Sequence, residues 1–282
     1  MSGPLSGWTI TGDGVQVHHL EAGAGPAVVL VPGWSLTAQT FSAQLAELSL
    51  SRRVVAVDHR GHGRSSTPPA GYHLHRLAAD LAEVLSAHNL DDVRLVGHSM
   101  GAAVIWSYLE LFGTHRLRSA VFVDQMPCAL RNPAWSDAQA AEAGATMDAA
   151  ELFAFTDLLR GEGPDPRSGF LAETTSPGVS AQRLAWLSNQ VAMLNRRYAA
   201  DLIFDVATHD WRALVPRIDL PTLVVAGDSA NVPIASQQWI GDRIAGARFA
   251  RVEGLGGGTH FPHWENPAAF NAALTAFWSS VG

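Results

Sequence analysis

The 282-residue sequence predicts an α/β protein in which helices cover both faces of a mostly parallel, eight-stranded sheet. Three observations support this fold class. Short apolar runs, which are typical of buried strands, alternate with segments of helical periodicity. This alternation favours right-handed crossovers between parallel strands. A long stretch after the sixth predicted strand has no β-branched run and contains alanine-rich helical segments instead.

The first half of the chain contains most of the predicted sheet. An opening hairpin is predicted at residues 8–10 and 15–20, turned at Gly12-Asp13-Gly14. Further strands are predicted at 28–31, 54–58, 93–96 and 120–123, and helices at 41–48, 74–88 and 102–112. Sites in such sheets lie outside the carboxyl ends of the strands. Four residues fall at these ends, namely Pro32, Asp58, Ser99 and Asp124.

The second half predicts a helical insertion and then the end of the sheet. Helices are predicted near 136–147, 149–160 and 180–198, with a break rich in glycine and proline at 161–166. Strands return at 221–228 and 248–252 around a helix at 234–244, and a glycine-rich loop at 254–259 precedes a last helix at 267–278. We therefore expect a core domain formed by 1–124 and 217–282, and a helical cap, or lid, domain at 125–216.

Composition excludes several classes of function. The net charge is −7 without a basic patch, which argues against nucleic-acid binding. All 19 basic residues are arginines, so Schiff-base chemistry and a phosphate-loop lysine are excluded. No apolar run approaches the roughly 18 residues of a membrane span, and no closely spaced set of histidines, cysteines and carboxylates predicts a metal site. We therefore expect no metal, no cofactor, no nucleic acid and no membrane partner.

The cellular location is predicted from the cysteine content and the first residues. The chain has one cysteine, Cys128, so it cannot form an intrachain disulfide. No signal peptide is visible between Met1 and Gly14. Both observations suit the reducing cytoplasm. We expect a cytoplasmic monomer or homodimer that acts on a small molecule.

Ser99 is the candidate nucleophile. It lies in Gly97-His98-Ser99-Met100-Gly101, between a predicted buried strand and a predicted apolar helix. Gly-x-Ser-x-Gly in this context is the nucleophile elbow, a tight turn that projects the serine hydroxyl above the sheet. Side chains at either glycine would collide with neighbouring backbone in such a turn.

The chain resembles the α/β-hydrolase-fold enzymes over nearly its whole length. The resemblance rests on five segments, which are Pro32-Gly33-Trp34, Asp58-x-Arg60-Gly61-His62-Gly63-x-Ser65, Gly97-His98-Ser99-Met100-Gly101, Pro221-Thr222-Leu223-x-x-x-Gly227-Asp228 and Gly258-Thr259-His260-Phe261-Pro262. It implies the α/β-hydrolase fold, with nucleophile, acid and histidine in that order along the chain. The fold alone does not imply a substrate, because it hosts many chemistries.

Two subgroups of this family are similar to different parts of the chain. The 257–262 segment and Gly33-Trp34 resemble the cofactor-independent 2,4-dioxygenases that cleave quinolone rings. The 58–65 block and the 97–101 elbow resemble bacterial esterases, lactonases and cofactor-free haloperoxidases, or perhydrolases. The chain departs from most relatives at Pro32, where they carry histidine. This departure should leave the oxyanion site intact, because its donors are backbone N–H groups.

His260 is the candidate general base. A serine hydroxyl is a poor nucleophile until a base removes its proton. His260 follows the last predicted strand, on a loop from which it can reach over the sheet. His263 is its rival, but the Gly-Thr-His-Phe-Pro context favours His260.

The acid that would orient this histidine has two candidates. Many relatives carry it after the seventh strand, as the second acidic residue of a Gly-Asp-x-Asp turn. Here that turn reads Gly227-Asp228-Ser229-Ala230, so the usual position holds Ala230. Several relatives carry the acid at the end of the sixth strand, where Asp124 lies. We therefore assign the acid to Asp124 and keep Asp228 as the alternative.

The oxyanion hole and the substrate pocket complete the predicted site. The motif predicts that the backbone N–H groups of Trp34 and Met100 stabilise the oxyanion. The side chains of Trp34, His98, Trp135 and Trp186 are candidates for the substrate pocket, with Trp211 also near the predicted cap. Aromatic packing in the core of the cap is the alternative for each tryptophan.

The sequence leaves three functions open. The first is a serine hydrolase that cleaves an ester or lactone of a hydrophobic or ring-bearing substrate through an acyl-enzyme. The second is a cofactor-independent dioxygenase, or a cofactor-free haloperoxidase or perhydrolase, that uses the same residues. The third is a non-catalytic receptor of the same fold, which an intact serine, histidine and acid set argues against.

Overall fold

Eight strands form one sheet in the computed structural model, which describes residues 3–282. The first two residues of the predicted core domain lie outside this range. The strand order is β1-β2-β4-β3-β5-β6-β7-β8. Strand β2 is antiparallel to both of its neighbours, β1 and β4, and all the other neighbouring pairs are parallel. The strands are β1 (Leu5–Ile10), β2 (Gln16–Ala22), β3 (Ala27–Val31), β4 (Arg53–Val57), β5 (Val93–His98), β6 (Leu117–Val123), β7 (Thr222–Ala226) and β8 (Arg248–Arg251).

Helices cover both faces of this sheet, and the predicted α/β-hydrolase fold is confirmed. They are α1 (Ser42–Leu48), α2 (Leu74–Ala87), α3 (Met100–Phe112), α4 (Asp137–Ala143), α5 (Ala149–Arg160), α6 (Arg167–Thr174), α7 (Ala181–Val191), α8 (Arg196–Thr208), α9 (Ile234–Arg243), α10 (Pro262–Glu265) and α11 (Pro267–Val281). None of the helices within residues 3–282 combines the length and the hydropathy that crossing a membrane requires.

The core consists of two apolar layers, one on each face of the sheet. Alternate residues of a strand point to opposite faces. Val28 and Leu30 therefore pack towards α1 and α11, while Val29 and Val31 pack towards α2 and α3. Strand β3 and residues 120–123 of β6 are buried on both faces, which explains why they appear in the sequence as continuous apolar runs. Strand β5 is equally buried, although it contains Arg94.

Five helices, α4 to α8, form the helical insertion between β6 and β7. The structure differs here from the sequence-based expectation in two places. A helix that was not predicted, α6, follows the expected break. The single helix expected at 180–198 is two helices, because Asn195 caps a new one by accepting a hydrogen bond from the backbone N–H of Arg197.

The parallel register brings the predicted site residues to one edge of the sheet. Val31 lies beside Gly97, His98 lies beside Val123, and Val123 lies beside Val225. The residues that follow these strands therefore share one edge, which is the geometry that a site in a parallel sheet requires.

Candidate active site

Ser99 occupies a strained turn between β5 and α3. Its backbone has φ 52° and ψ −124°, a conformation that residues other than glycine rarely adopt. The turn depends on two glycines. A Cβ atom at Gly97 would lie 2.5 Å from the carbonyl oxygen of Gly101, and one at Gly101 would collide with the carbonyl oxygen of Val31. The turn at Ser99 therefore has the tight backbone geometry that the Gly-x-Ser-x-Gly motif predicts.

His260 lies within hydrogen-bond distance of Ser99 and of Asp124. Its Nε2 is 2.9 Å from the Ser99 hydroxyl oxygen, and its Nδ1 is 2.7 Å from Asp124 Oδ2. With the proton on Nδ1, the imidazole donates to the carboxylate and accepts from the serine hydroxyl. The backbone N–H of His260 donates to the carbonyl of Thr174, so the loop that carries it is also held by the helical insertion.

Asp124 is fully buried and accepts hydrogen bonds at both carboxylate oxygens. Oδ1 accepts from the backbone N–H of Gly227 at 2.8 Å and from Gln237 Nε2 at 3.1 Å. Oδ2 accepts from the Ser229 hydroxyl at 2.5 Å, besides His260. Hydrogen bonds of this kind stabilise a charged carboxylate away from water. The sequence missed Ser229 and Gln237, since neither belongs to a motif.

Asp228, the alternative acid, does not contact His260. Its carboxylate pairs with Arg251 at the surface, and its backbone also has a positive φ, 58°. Its carbonyl oxygen lies against Gly258, where a Cβ atom would collide with it. Asp228 therefore shapes the turn after β7, and the structure places Asp124, not Asp228, beside the histidine.

His98 and His263 lie behind His260 and do not reach Ser99. His98 Nε2 donates to the carbonyl of His260 at 2.6 Å, and the His98 and His263 rings are 4.4 Å apart. Burial lowers the pKa of His98 well below its ordinary value and that of His263 to about 3. Both imidazoles are therefore neutral at pH 7, and packing beneath the histidine loop is the role that their positions indicate.

The predicted oxyanion donors lie next to Ser99. A Cβ atom at Gly33 would be 3.1 Å from Ser99 Cβ, so the loop after β3 passes directly beside the candidate nucleophile. Within residues 3–282, the backbone N–H groups of Trp34 and Met100 donate to no protein acceptor. Met100 begins α3, whose positive end points at the site. Unpaired donors here are what a developing oxyanion needs.

A cavity of about 130 Å³ opens onto Ser99 and His260. Its walls are mostly apolar and come from both the sheet edge and the helical insertion. Besides Trp34 and His98, which the sequence predicted, they include Met126, Met147, Phe170, Leu171, Ile203 and Val206. Arg167 also borders the cavity, but its guanidinium is paired with Asp165 and donates to the carbonyls of Val191 and Leu194.

The prediction that Trp135 and Trp186 line the pocket needs correction. Trp186 stacks on Trp264 of α10, with ring centroids 6.0 Å apart, and is partly buried there. Trp135 packs under the guanidinium of Arg212, 4.0 Å from its ring centroid. Neither borders the cavity, and nor does Trp211, which packs on Trp106 in the core. A position in or near the insertion did not reveal which of the tryptophans would face the cavity.

Comparison with known proteins identifies relatives over nearly the whole chain. A family model described as the alpha/beta hydrolase fold matches residues 26–267. The non-heme chloroperoxidase of Streptomyces lividans is 30% identical, over 97% of this chain and 100% of its own.

Two solved structures are similar to this chain over nearly its whole length. The bromoperoxidase of Bacillus anthracis has a TM-score of 0.85 and 26% identity, and the alignment covers 98% of this chain and 100% of that one. The esterase RhEst1 from a Rhodococcus species has a TM-score of 0.81 and 27% identity, covering 98% of this chain and 99% of that one.

Proposed function

This chain belongs to the alpha/beta hydrolase fold family, and from that premise we propose that it is a serine hydrolase of carboxylic esters or lactones. The observation that carries the proposal is the continuous hydrogen-bonded path from the Ser99 hydroxyl through His260 to the buried Asp124. A binding protein has no need of such a path, which argues against the receptor alternative.

The proposed reaction has two halves. Ser99 Oγ attacks the carbonyl carbon while His260 Nε2 takes its proton, and the N–H groups of Trp34 and Met100 stabilise the oxyanion. His260 then returns the proton to the leaving alcohol or ring oxygen, which leaves an acyl-enzyme on Ser99. Water, deprotonated by His260, attacks this ester and releases the carboxylic acid. Asp124 holds the tautomer and stabilises the imidazolium in both halves.

The cavity walls support a hydrophobic acyl group or ring as the substrate's buried part. Thioethers and aromatic side chains, such as those of Met126, Met147 and Phe170, adapt to apolar groups of varied shape. The one guanidinium among the lining residues, that of Arg167, is already paired with Asp165. A charged acyl chain would therefore lose hydration without gaining a free partner.

The helical insertion, residues 125–216, is proposed to act as a cap that sets substrate range. It supplies Phe170, Leu171 and Ile203 to the cavity, whereas the core supplies the reacting groups. We keep the cytoplasm as the proposed location and a monomer or homodimer as the proposed state.

Covalent labelling tests the nucleophile directly. A fluorophosphonate probe should label the wild-type protein and the Ser86→Ala control, whose serine is exposed on α2, but not Ser99→Ala. Hydrolysis of p-nitrophenyl esters and of a lactone panel should fall to background in the same variant. Equal labelling of wild type and Ser99→Ala would overturn the proposal.

Peracid formation is a second candidate function for the same site. Relatives over nearly the whole chain are named chloroperoxidase and bromoperoxidase. A carboxylic acid would first acylate Ser99 with release of water. Hydrogen peroxide would then attack the acyl-enzyme and release a peracid, which oxidises halide to hypohalite and returns to the carboxylic acid. The test is peracid release from acetate and hydrogen peroxide. Ser99-dependent release faster than ester hydrolysis would favour this function, and its absence would favour the hydrolase.

A further inference from the structure

We propose that His19, Glu21 and His88 form a binding site for a divalent transition metal, with Zn²⁺ as the best-suited ion. Ligand atoms of the three side chains lie within 4.8 Å of one another. The site lies on β2 and at the end of α2, and β4 and β3 separate β2 from β5, the strand that leads to Ser99. It is therefore independent of the proposed reaction.

The fold brings together residues that are far apart in the sequence. His19 and Glu21 are two residues apart on β2 and so share one face of the sheet. His88 ends α2 and packs against that face, with its ring centroid 4.4 Å from that of His19. The expectation of no metal site rested on close spacing along the chain, a signal that this arrangement does not produce.

A glycine makes room for the first imidazole. Gly7 on β1 lies directly opposite His19 on β2. A Cβ atom at Gly7 would lie 2.7 Å from Cε1 of the His19 ring, so a larger residue would displace the ring. Thr9, two residues further along β1, has its hydroxyl 3.0 Å from Nε2 of His88. It would orient the second imidazole as an outer partner does in metal sites.

The chemistry of the three side chains matches that of Zn²⁺ ligands. Two neutral imidazoles and a carboxylate are a common set for zinc and neighbouring metals. His19 Nδ1 is buried and, within residues 3–282, has no hydrogen-bond partner. An unpartnered buried nitrogen is costly in a purely structural cluster.

Arg53 competes with the ion for Glu21. Its Nε donates to Glu21 Oε1 at 2.7 Å, and its Nη2 donates to Oε2 at 3.3 Å. Both side chains are partly exposed, so the pair contributes little stability and can be rearranged. Its Nη1 also donates to the carbonyl of His88 at 3.2 Å. Removing Arg53 nevertheless frees Glu21 and removes a positive charge beside the ion, so metal binding should strengthen, which distinguishes a metal site from a structural cluster.

The experiment measures Zn²⁺ binding to the metal-stripped protein by thermal unfolding and by equilibrium dialysis. Zn²⁺ at about 100 times its Kd should raise the Tm of wild type by roughly 5 °C, and a chelator should reverse the rise. Dialysis should show one bound ion per chain. His88→Ala should abolish the rise. Arg53→Met should bind Zn²⁺ roughly fivefold more tightly.

A surface histidine provides the control. His209 lies beside His75 and Asp205, another place where Zn²⁺ could bind non-specifically. His209→Ala should keep the full rise in Tm. The proposal is overturned if His88→Ala binds Zn²⁺ as wild type does, if His209→Ala loses the effect, or if no variant binds the ion. Because His88 is only half-buried, the His88→Ala variant should fold. If its Tm is lower than that of wild type, dialysis at 20 °C still measures Zn²⁺ binding to the folded variant.

Discussion

Asp124 shows how a single carboxylate is held ready for an orienting role. Its four hydrogen-bond donors come from three segments, which are the turn after β7, helix α9 and the loop of His260. Its own backbone adopts φ 48°, a conformation that costs about 1–3 kcal/mol and persists because the surrounding structure imposes it. The surrounding donors fix the direction of the carboxylate.

Replacing Asp124 and Asp228 by asparagine in separate variants should distinguish their roles. Asp124→Asn should lower kcat by up to about 10⁴-fold with the fold intact, because the amide favours the wrong histidine tautomer. Asp228→Asn should keep most activity and lower Tm slightly, since it weakens a surface pair. Steady-state kinetics and thermal unfolding of both variants check this. An inactive Asp228→Asn variant together with an active Asp124→Asn variant would contradict the assignment of the acid to Asp124.

Ser229 should act as a positioning residue for that carboxylate. Ser229→Ala removes one of the hydrogen bonds of a buried charge, a loss of about 1–3 kcal/mol. We expect kcat to fall about tenfold while KM stays unchanged, because the hydroxyl does not border the cavity. Ser229→Thr should restore most of the loss. A change in KM alone, or no change in kcat, would contradict this role.

The proximity of Ser99, Asp124 and His260 could be predicted from the sequence, although their catalytic roles stay predictions. Each follows a strand of a parallel sheet, and such ends converge. Ser229 and Gln237 could not be predicted, because their contacts depend on how the turn after β7 folds back over β6.

At the scale of elements, the helical insertion is where sequence-based prediction was weakest. Helix α6 contains Gly169 in its middle, which lowers its intrinsic stability. It is held by tertiary contacts, since Leu171 is buried and Arg167 donates to the carbonyls of Val191 and Leu194. Propensity alone cannot reveal a helix that depends on such partners. For the same reason, the cavity residues on α6 and α8 were missed.

The substrate range should depend on α6 and not on the tryptophan of α7. Phe170→Ala enlarges the cavity beside His260, whose ring is 6.0 Å from that of Phe170. We expect longer or bulkier esters to gain relative to short ones, by roughly tenfold in kcat/KM ratio. The control, Trp186→Ala, should leave the ranking unchanged. A substrate panel with both variants checks this, and a reversed pattern would contradict the cavity assignment.

At the scale of the whole molecule, the buried histidines should control acid stability. His59, His62, His98 and His263 are buried, and burial lowers the pKa of each; those of His62 and His263 fall to about 3. Below pH 6.5 the unfolded chain binds protons that the folded protein does not. The stabilisation is therefore present above pH 6.5 and is lost as the pH falls towards 3.

This uptake of protons predicts a steep pH dependence. Four such histidines give a slope of up to roughly 5 kcal/mol per pH unit below pH 6. We expect Tm to fall sharply between pH 6.5 and 5. In His263→Leu, unfolding should take up about one proton fewer, and the slope should be smaller accordingly. Both ring nitrogens of His263 lack partners within residues 3–282, so the substitution breaks no hydrogen bond there. A Tm that stays constant down to pH 4.5 would contradict this prediction.

The parallel arrangement of the sheet could be predicted at this scale because its central strands are mostly apolar and show no alternation with polar residues. Val28–Val31, Val93–Val96 and Ala120–Val123 are each buried on both faces. Only a parallel sheet covered on both sides accommodates such strands. The short helix α10 escaped prediction because its four residues are too few for a periodic signal.

The position of Asp124 limits how this protein can be re-engineered. The residue is the last of the sheet edge before the chain enters the insertion, and Thr174 of the insertion accepts a hydrogen bond from the backbone of His260. Two of the three groups in the hydrogen-bonded path are therefore attached to the element that shapes the cavity. A graft that exchanges residues 125–216 for the corresponding part of a relative would alter turnover together with selectivity. Selectivity and turnover are consequently coupled traits in this chain, and an altered specificity obtained by exchanging the whole insertion should require compensating changes at both junctions.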